Sequence, residues 1–280
     1  MNKRNRMRQC LTVHIGMPKT ASTTLQAARF SRHSQVQYPG KYAAGMQAPD
    51  SEKDRSLRRA AGNQPGRRES AELFRELCLP CVEAAYSEGR APLWSQEALA
   101  GGSLEQRQQT AQLFKTVFGP CRIILFTREL LSFMQSFYFQ KLRAYNQRSG
   151  WNPAWSRHLA PPPNCFAIDE WLTAVWETPQ TKFHGHLRYG ETAQVFAAAF
   201  GNDNIKILTY ESLVQRPRET LCELAEFIGI DADEAVALMA GQNRNTRWSE
   251  AHLLQLKRLQ GRPLKRWRFR FSSSRQRRQM

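Results

Sequence analysis

No apolar run in this 280-residue chain approaches the ~20 residues that a transmembrane helix needs, and the mean hydropathy is −0.59. Cysteine is sparse. The six residues at 10, 78, 81, 121, 165 and 222 are scattered, which excludes the disulfide framework of a small secreted domain. Cys78-Leu-Pro-Cys81 has redox or zinc spacing, but no second pair stands at a zinc-ribbon distance. The pair falls inside an apolar helical run and reads as two half-buried thiols. No repeat of fixed period is present. The basic residues Lys3, Arg4, Arg6 and Arg8 have no apolar segment after them, so they do not open a signal peptide, and the expectation is a cytoplasmic protein. Acid is absent from residues 261–280.

Apolar residues make up 41% of the chain, including 15 Phe, 7 Trp and 7 Tyr, enough to build a core and to exclude a disordered chain. The net charge is +17, but the termini hold most of it. Eight bases lie in 261–280 and four in the first nine residues, so the body is only modestly basic. Lys265-Arg-Trp-Arg-Phe-Arg-Phe271 alternates base and aromatic, a pattern suited to an anionic membrane surface or to a solvated tail. Specific nucleic-acid binding is not expected, because no nucleic-acid motif accompanies the charge. We read one α/β domain over 10–260, a basic extension over 1–9 and a flexible basic aromatic tail over 261–280.

Strands are expected at 11–16, 91–94, 122–127 and 205–210. Helices are expected near 23–33, 69–89, 103–117, 129–147, 168–177, 189–200, 217–229, 233–240 and 249–260. Residues 38–68 and 149–164 read as irregular insertions. Alternating strands and helices imply a parallel sheet covered on both faces.

Two constellations carry chemistry. The first is Gly16-Met-Pro-Lys19-Thr20-Ala21-Ser22-Thr23-Thr24, set between a strand and a helix. Such a loop turns backbone N–H groups and a helix N-terminus towards one spot, and Lys19 and the hydroxyls add donors for phosphate or sulfate oxygens. It is not a Walker A loop. Only two residues separate Gly16 from Lys19, no glycine precedes the lysine, and the strand at 122–127 ends on Arg128 instead of a magnesium-binding acid. The second is Arg128 at a strand end with Ser136 eight residues on, placed to approach one ligand group at the carboxyl edge of the sheet.

His14-Ile-Gly-Met-Pro-Lys-Thr-Ala-Ser-Thr-Thr-Leu-Gln26 resembles the 5′-phosphosulfate loop of the sulfotransferases that use 3′-phosphoadenosine 5′-phosphosulfate (PAPS). Ala21 stands where that loop usually has glycine, which demands either a negative φ or some strain there. Arg128-Glu-Leu-Leu-Ser-Phe-Met-Gln-Ser136-Phe-Tyr138 resembles the family's 3′-phosphate motif, with Leu130 in place of the usual proline. A third, looser match runs from Ile205 through Tyr210-Glu211 to Phe227-Ile-Gly229 and reads as structural. The resemblance spans about residues 11–250 and fits the bacterial soluble members. It implies a P-loop-like three-layer α/β/α fold with helical insertions. It also implies a transferase that moves a sulfuryl group to a hydroxyl of a carbohydrate, lipid or small metabolite.

In that reading Gly16, Lys19, Thr20, Ala21, Ser22, Thr23, Thr24, Arg128 and Ser136 hold PAPS, and no metal is required. Lys19 meets the leaving-group charge. Glu97, in a segment (Trp94-Ser-Gln-Glu97-Ala-Leu99) that resembles one after the family's second strand, is the preferred base, and His14 is the second candidate. A helix-start glutamate capped by Ser95 is the structural alternative for Glu97. Arginines 55, 58, 59, 67 and 68 of the first insertion suit an acidic glycan or lipid headgroup as acceptor. Three other readings stand beside this one. They are a kinase on a related loop, a noncatalytic anionic-surface or nucleic-acid binder, and a sulfotransferase fold that binds PAPS without turnover.

Overall fold

The run Leu-Thr-Val-His before Gly16 is short, apolar and β-branched, and it forms β1 (Leu11–His14), buried along its whole length. The computed structural model describes residues 10–38, 56–57, 60–61, 65–147, 168–177 and 182–238. The chain divides into two units, Met1–Glu129 with Lys182–Arg244, and Leu130–Thr181 with Asn245–Met280. The basic extension, the tail, the 149–164 insertion, the helix expected near 249–260 and most of the 38–68 insertion lie outside the described residues.

In the first unit, β1 leads through the Gly16–Thr24 loop into α1 (Ser22–Thr24), which runs on as a π-helical turn, Leu25–Phe30. There follow β2 (Val36–Gln37), α2 (Arg68–Leu77), α3 (Leu79–Ser87), β3 (Ala91–Ser95), a 3₁₀ turn (Glu97–Ala100), α4 (Leu104–Phe118) and β4 (Cys121–Thr127). The second unit contributes α5 (Leu130–Gln147) and α6 (Ile168–Trp176). The first unit then resumes with α7 (Lys182–Leu187), α8 (Tyr189–Phe200), β5 (Ile205–Thr209), α9 (Tyr210–Gln215), α10 (Pro217–Ile228) and α11 (Ala232–Ala237).

The five strands are all parallel in the order β2-β3-β1-β4-β5. Thr12 pairs with Leu93 on one side and Arg122 on the other, and Phe126 pairs with Leu208. The chain leaves β1 towards β3 and β2 and later crosses back to β4. The topological switch therefore falls at β1/β4, where open α/β sheets hold their ligands.

Side chains alternate between two cores, as strand pleating requires. Val13, Ile123 and Leu125 join Phe74, Trp94, Phe114 and Phe196 on one face. Ile124, Phe126 and Leu208 join Leu25, Phe30, Leu221, Leu224 and Ile228 on the other. The Phe74 ring meets Trp94 edge-on at 5.3 Å and Phe114 at 5.5 Å. In the second unit, Trp171 of α6 is buried against Tyr138 of α5, ring centroids 5.5 Å apart.

Local chemistry explains most boundaries. Ser103 and Gln106 form a capping box that starts α4. Pro217 opens α10, and Gly229 closes it in the left-handed region at φ 87°. The single helix expected over 69–89 is two, broken at Cys78, because Pro80 lacks the N–H that would continue the ladder. Cys78 is buried and Cys81 half-buried, and neither is in a disulfide. The strand expected to reach 210 stops at Thr209, whose Oγ1 accepts from the Ser212 N–H at 3.0 Å and caps α9. The helix expected over 23–33 ends at Phe30 through its π-helical turn. The two-residue β2 and the six-residue α7 and α9 were too short to show a period in the sequence.

Candidate active site

Three neighbouring strands deliver the site. β1 ends on His14 and opens the Gly16–Thr24 loop, β3 ends on Ser95 just before Glu97, and β4 ends just before Arg128.

The loop is held from inside. Thr20 Oγ1 donates to the Met17 carbonyl at 2.6 Å, and Ser22 Oγ donates to the same oxygen at 3.3 Å. Both hydroxyls are buried, so two of the residues expected to bind oxyanions also shape the loop. The Ala21 carbonyl accepts from the Thr24 and Leu25 N–H groups at 2.9 and 3.0 Å and starts α1. Lys19 and Thr23 are half-buried and Thr24 is buried. The Ser22 and Thr23 N–H groups precede the first of these helical bonds, as at any helix start.

Among the described residues, Lys19 (φ 71°) and Ala21 (φ 64°) are the only non-glycine residues with positive φ. Of the two outcomes open to Ala21, the chain adopts strain. Each left-handed residue of this kind costs roughly 1–2 kcal/mol, and such strain concentrates at functional loops. Gly16 is left-handed too, at φ 51°. A Cβ there would lie 3.3 Å from Glu97 Cα and 3.4 Å from both Glu97 Cγ and His14 Cε1. Glu97, half-buried, therefore packs directly against the start of the loop.

Arg128 donates from its guanidinium to the Lys19 carbonyl at 2.8 Å. Its Cζ sits 4.3 Å over the Tyr210 ring, and its Nε is buried without a hydrogen-bond partner. Glu211 Oε1 accepts from the Glu129 N–H at 3.1 Å, so this glutamate caps the chain where it leaves β4. Ser136 lies half-buried on α5, in the second unit.

His14 is wholly buried, its ring edge-on to Phe30 and Phe126 at 5.8 and 5.7 Å. Its Nδ1 lies 2.7 Å from Ser95 Oγ, which accepts from Gln26 Nε2 at 2.8 Å. One hydrogen is shared between Ser95 Oγ and His14 Nδ1, and the imidazole tautomer decides which of the two donates. Burial lowers the His14 pKa to about 3, so the ring is neutral and a weak proton acceptor. Ser95 is turned inward instead of capping the Glu97 turn. From its neighbours alone Ser95 reads as a cap, and Gln26 and Tyr210 have no evident role. Their side chains meet the site through folding, and no local pattern in the sequence marks that.

These features are a phosphate-type loop on β1, an arginine at the end of β4 and a glutamate after β3. The model of the sulfotransferase domain matches residues 101–265, more than half of the chain. The chain belongs to the sulfotransferase domain family. The matched span includes Arg128 and Ser136, whereas the loop and Glu97 of this sulfotransferase precede it and rest on geometry and motif. A sulfotransferase from Alicyclobacillus acidocaldarius superposes with a TM-score of 0.50 at 13% identity, covering 91% of this chain and 92% of that one. The sulfotransferase domain of the curacin biosynthetic pathway gives 0.44 at 13% identity, covering 86% and 81%. That of the Synechococcus PCC 7002 olefin synthase gives 0.44 at 15%, covering 88% and 82%. No curated protein matches the chain. The P-loop-like three-layer α/β/α fold expected from the sequence is the fold of this sulfotransferase-domain protein. Among the described residues, no helix is long and apolar enough to cross a membrane.

Proposed function

We propose that this protein transfers a sulfuryl group from PAPS to a hydroxyl of a carbohydrate, lipid or small metabolite by in-line displacement. The observation that carries the reading is the convergence on one loop. Arg128 ties to the Lys19 carbonyl, and Glu97 packs on Gly16, so the three motif segments meet at one loop. The donor set fits a co-substrate with two anionic groups, the phosphosulfate and the 3′-phosphate. It comprises the Ser22 and Thr23 N–H groups, Lys19 and the hydroxyl of Thr23, with Arg128 for the 3′-phosphate. The buried, unpartnered Nε of Arg128 agrees with a guanidinium whose bonding is incomplete without an anion.

When bound, PAPS supplies the sulfuryl group and a phosphate leaving group. Lys19 places positive charge where the leaving oxygen develops negative charge. Glu97 takes the proton of the acceptor hydroxyl as its oxygen attacks sulfur, and it is better placed for this than His14, whose burial makes it a poor base. The test is incubation with radiolabelled PAPS and a panel of hydroxyl acceptors: monosaccharides, a glycosaminoglycan oligosaccharide, a fatty alcohol and a phenol. Label should move to at least one acceptor with wild type and not with Glu97→Gln. Equal transfer by both proteins would remove Glu97 from the mechanism.

A further inference from the structure

Ser95 closes β3 two residues before Glu97, and its hydroxyl is a junction. It meets His14 of β1 at 2.7 Å and Gln26 of the π-helical turn at 2.8 Å. His14, Ser95 and Gln26 are 0, 3 and 2% exposed. A backbone tie joins the same segments, with the Gln96 N–H donating to the His14 carbonyl at 3.0 Å. The two phenylalanine rings fix the imidazole plane, and its Cε1 edge faces Gly16, the point that Glu97 also approaches.

Such a cluster is an expensive way to fill a core. Apolar side chains of similar size would be as stable, and polar groups here carry a desolvation penalty. His14 Nε2 and Gln26 Oε1 remain buried without a hydrogen-bond partner, so the cluster is not even fully satisfied. What it does achieve is geometric. It joins the strand that opens the loop, the turn that follows the loop and the strand end that carries Glu97.

We infer that His14, Ser95 and Gln26 are positioning residues that lock the donor loop to the Glu97 segment and so aim the Glu97 carboxylate. The inference rests on reading Glu97 as the base and the Gly16–Thr24 loop as the donor site. No bond in the cluster changes during transfer. The proton of the acceptor passes to Glu97, and His14 stays neutral throughout, in keeping with its depressed basicity.

The experiment separates binding from turnover. Affinity for the desulfated product, 3′-phosphoadenosine 5′-phosphate (PAP), is measured by calorimetry. PAP release from PAPS is followed with the fastest acceptor of the panel above, or with water if the panel gives none. Ser95→Ala should leave PAP affinity unchanged and lower kcat on the order of ten- to a hundredfold, the scale of a small misplacement. In a Glu97→Gln background the same substitution should cost nothing further, because it acts through that side chain. His14→Asn, which keeps a polar atom near the Nδ1 position, should recover most of the turnover that His14→Ala loses.

Full additivity with Glu97→Gln, or parallel loss of PAP affinity and kcat, would overturn the inference. So would His14→Asn being as inactive as His14→Ala, which would put Nε2 in contact with substrate. If Ser95→Ala does not fold, Gln26→Met decides in its place, with a smaller loss expected in kcat alone. A wild-type protein that neither binds PAP nor releases it from PAPS would instead defeat the functional reading.

Discussion

The guanidinium of Arg128 donates to the backbone carbonyl of Lys19 across 2.8 Å. One side chain thus sets a positive charge beside the loop and also props the left-handed turn at Lys19. Lysine would keep the charge but not the fork needed for both tasks. Arg128→Lys is expected to weaken PAP binding about tenfold or more, the worth of a charge-assisted hydrogen bond. Calorimetry checks this. Affinity within error of wild type would mean that the tie to Lys19 does not matter for binding.

Ala21 is the second left-handed residue of the loop, at φ 64°. Ala21→Gly should relieve a strain of about 1–2 kcal/mol while adding about 0.4–1 kcal/mol of unfolded-chain entropy. The net gain is small and positive, and a rise in Tm of about 1–4 °C is expected from a thermal melt. A fall in Tm would show that the alanine methyl group makes contacts worth more than the strain.

Gly16 faces two problems at once, a left-handed backbone and a tight 3.3 Å approach of any Cβ to Glu97 Cα. Gly16→Ala should lower Tm by about 2–8 °C, from a strain of about 1–2 kcal/mol, and should lower kcat by displacing Glu97. The glycine would be dispensable if both quantities held.

His14 gives the fold an acid-sensitive element. The unfolded chain takes up a proton on this residue near its ordinary pKa of 6.5, whereas the folded chain resists until about 3. The unfolded state therefore binds more protons in that window, and stability falls as pH drops from 6.5 towards 3. Denaturant titrations over this range should show a flatter pH slope for His14→Asn than for wild type. An identical slope would indicate that His14 is protonated in the folded protein.

The fold was largely legible in the sequence because a buried parallel sheet writes itself as short apolar runs such as Leu11–His14 and Cys121–Thr127, each ended by a loop residue with a role. The loop at Gly16–Thr24 and Arg128 could be read because a single stretch of chain carries each one. Other parts are set by long-range packing. Ser95 looks locally like a cap for the Glu97 turn, and only the pairing of β3 with β1 turns it towards His14. Tyr210 read as the last residue of a strand, yet it opens α9 and lies under Arg128, because Thr209 prefers to cap. The strain at Ala21 could be posed as a choice of φ, but the carbonyl contacts that impose it come from the folded loop.

On the proposed function, the Gly16–Thr24 loop and Arg128 hold an adenine nucleotide bearing a 3′-phosphate. The most direct test is calorimetry of PAP with and without Mg²⁺, against ATP, for wild type, Lys19→Ala and Arg128→Ala. PAP is expected to bind wild type without metal and more tightly than ATP, and to bind each variant at least about tenfold more weakly. Tighter, Mg²⁺-dependent binding of ATP, or PAP binding that survives both substitutions, would contradict it.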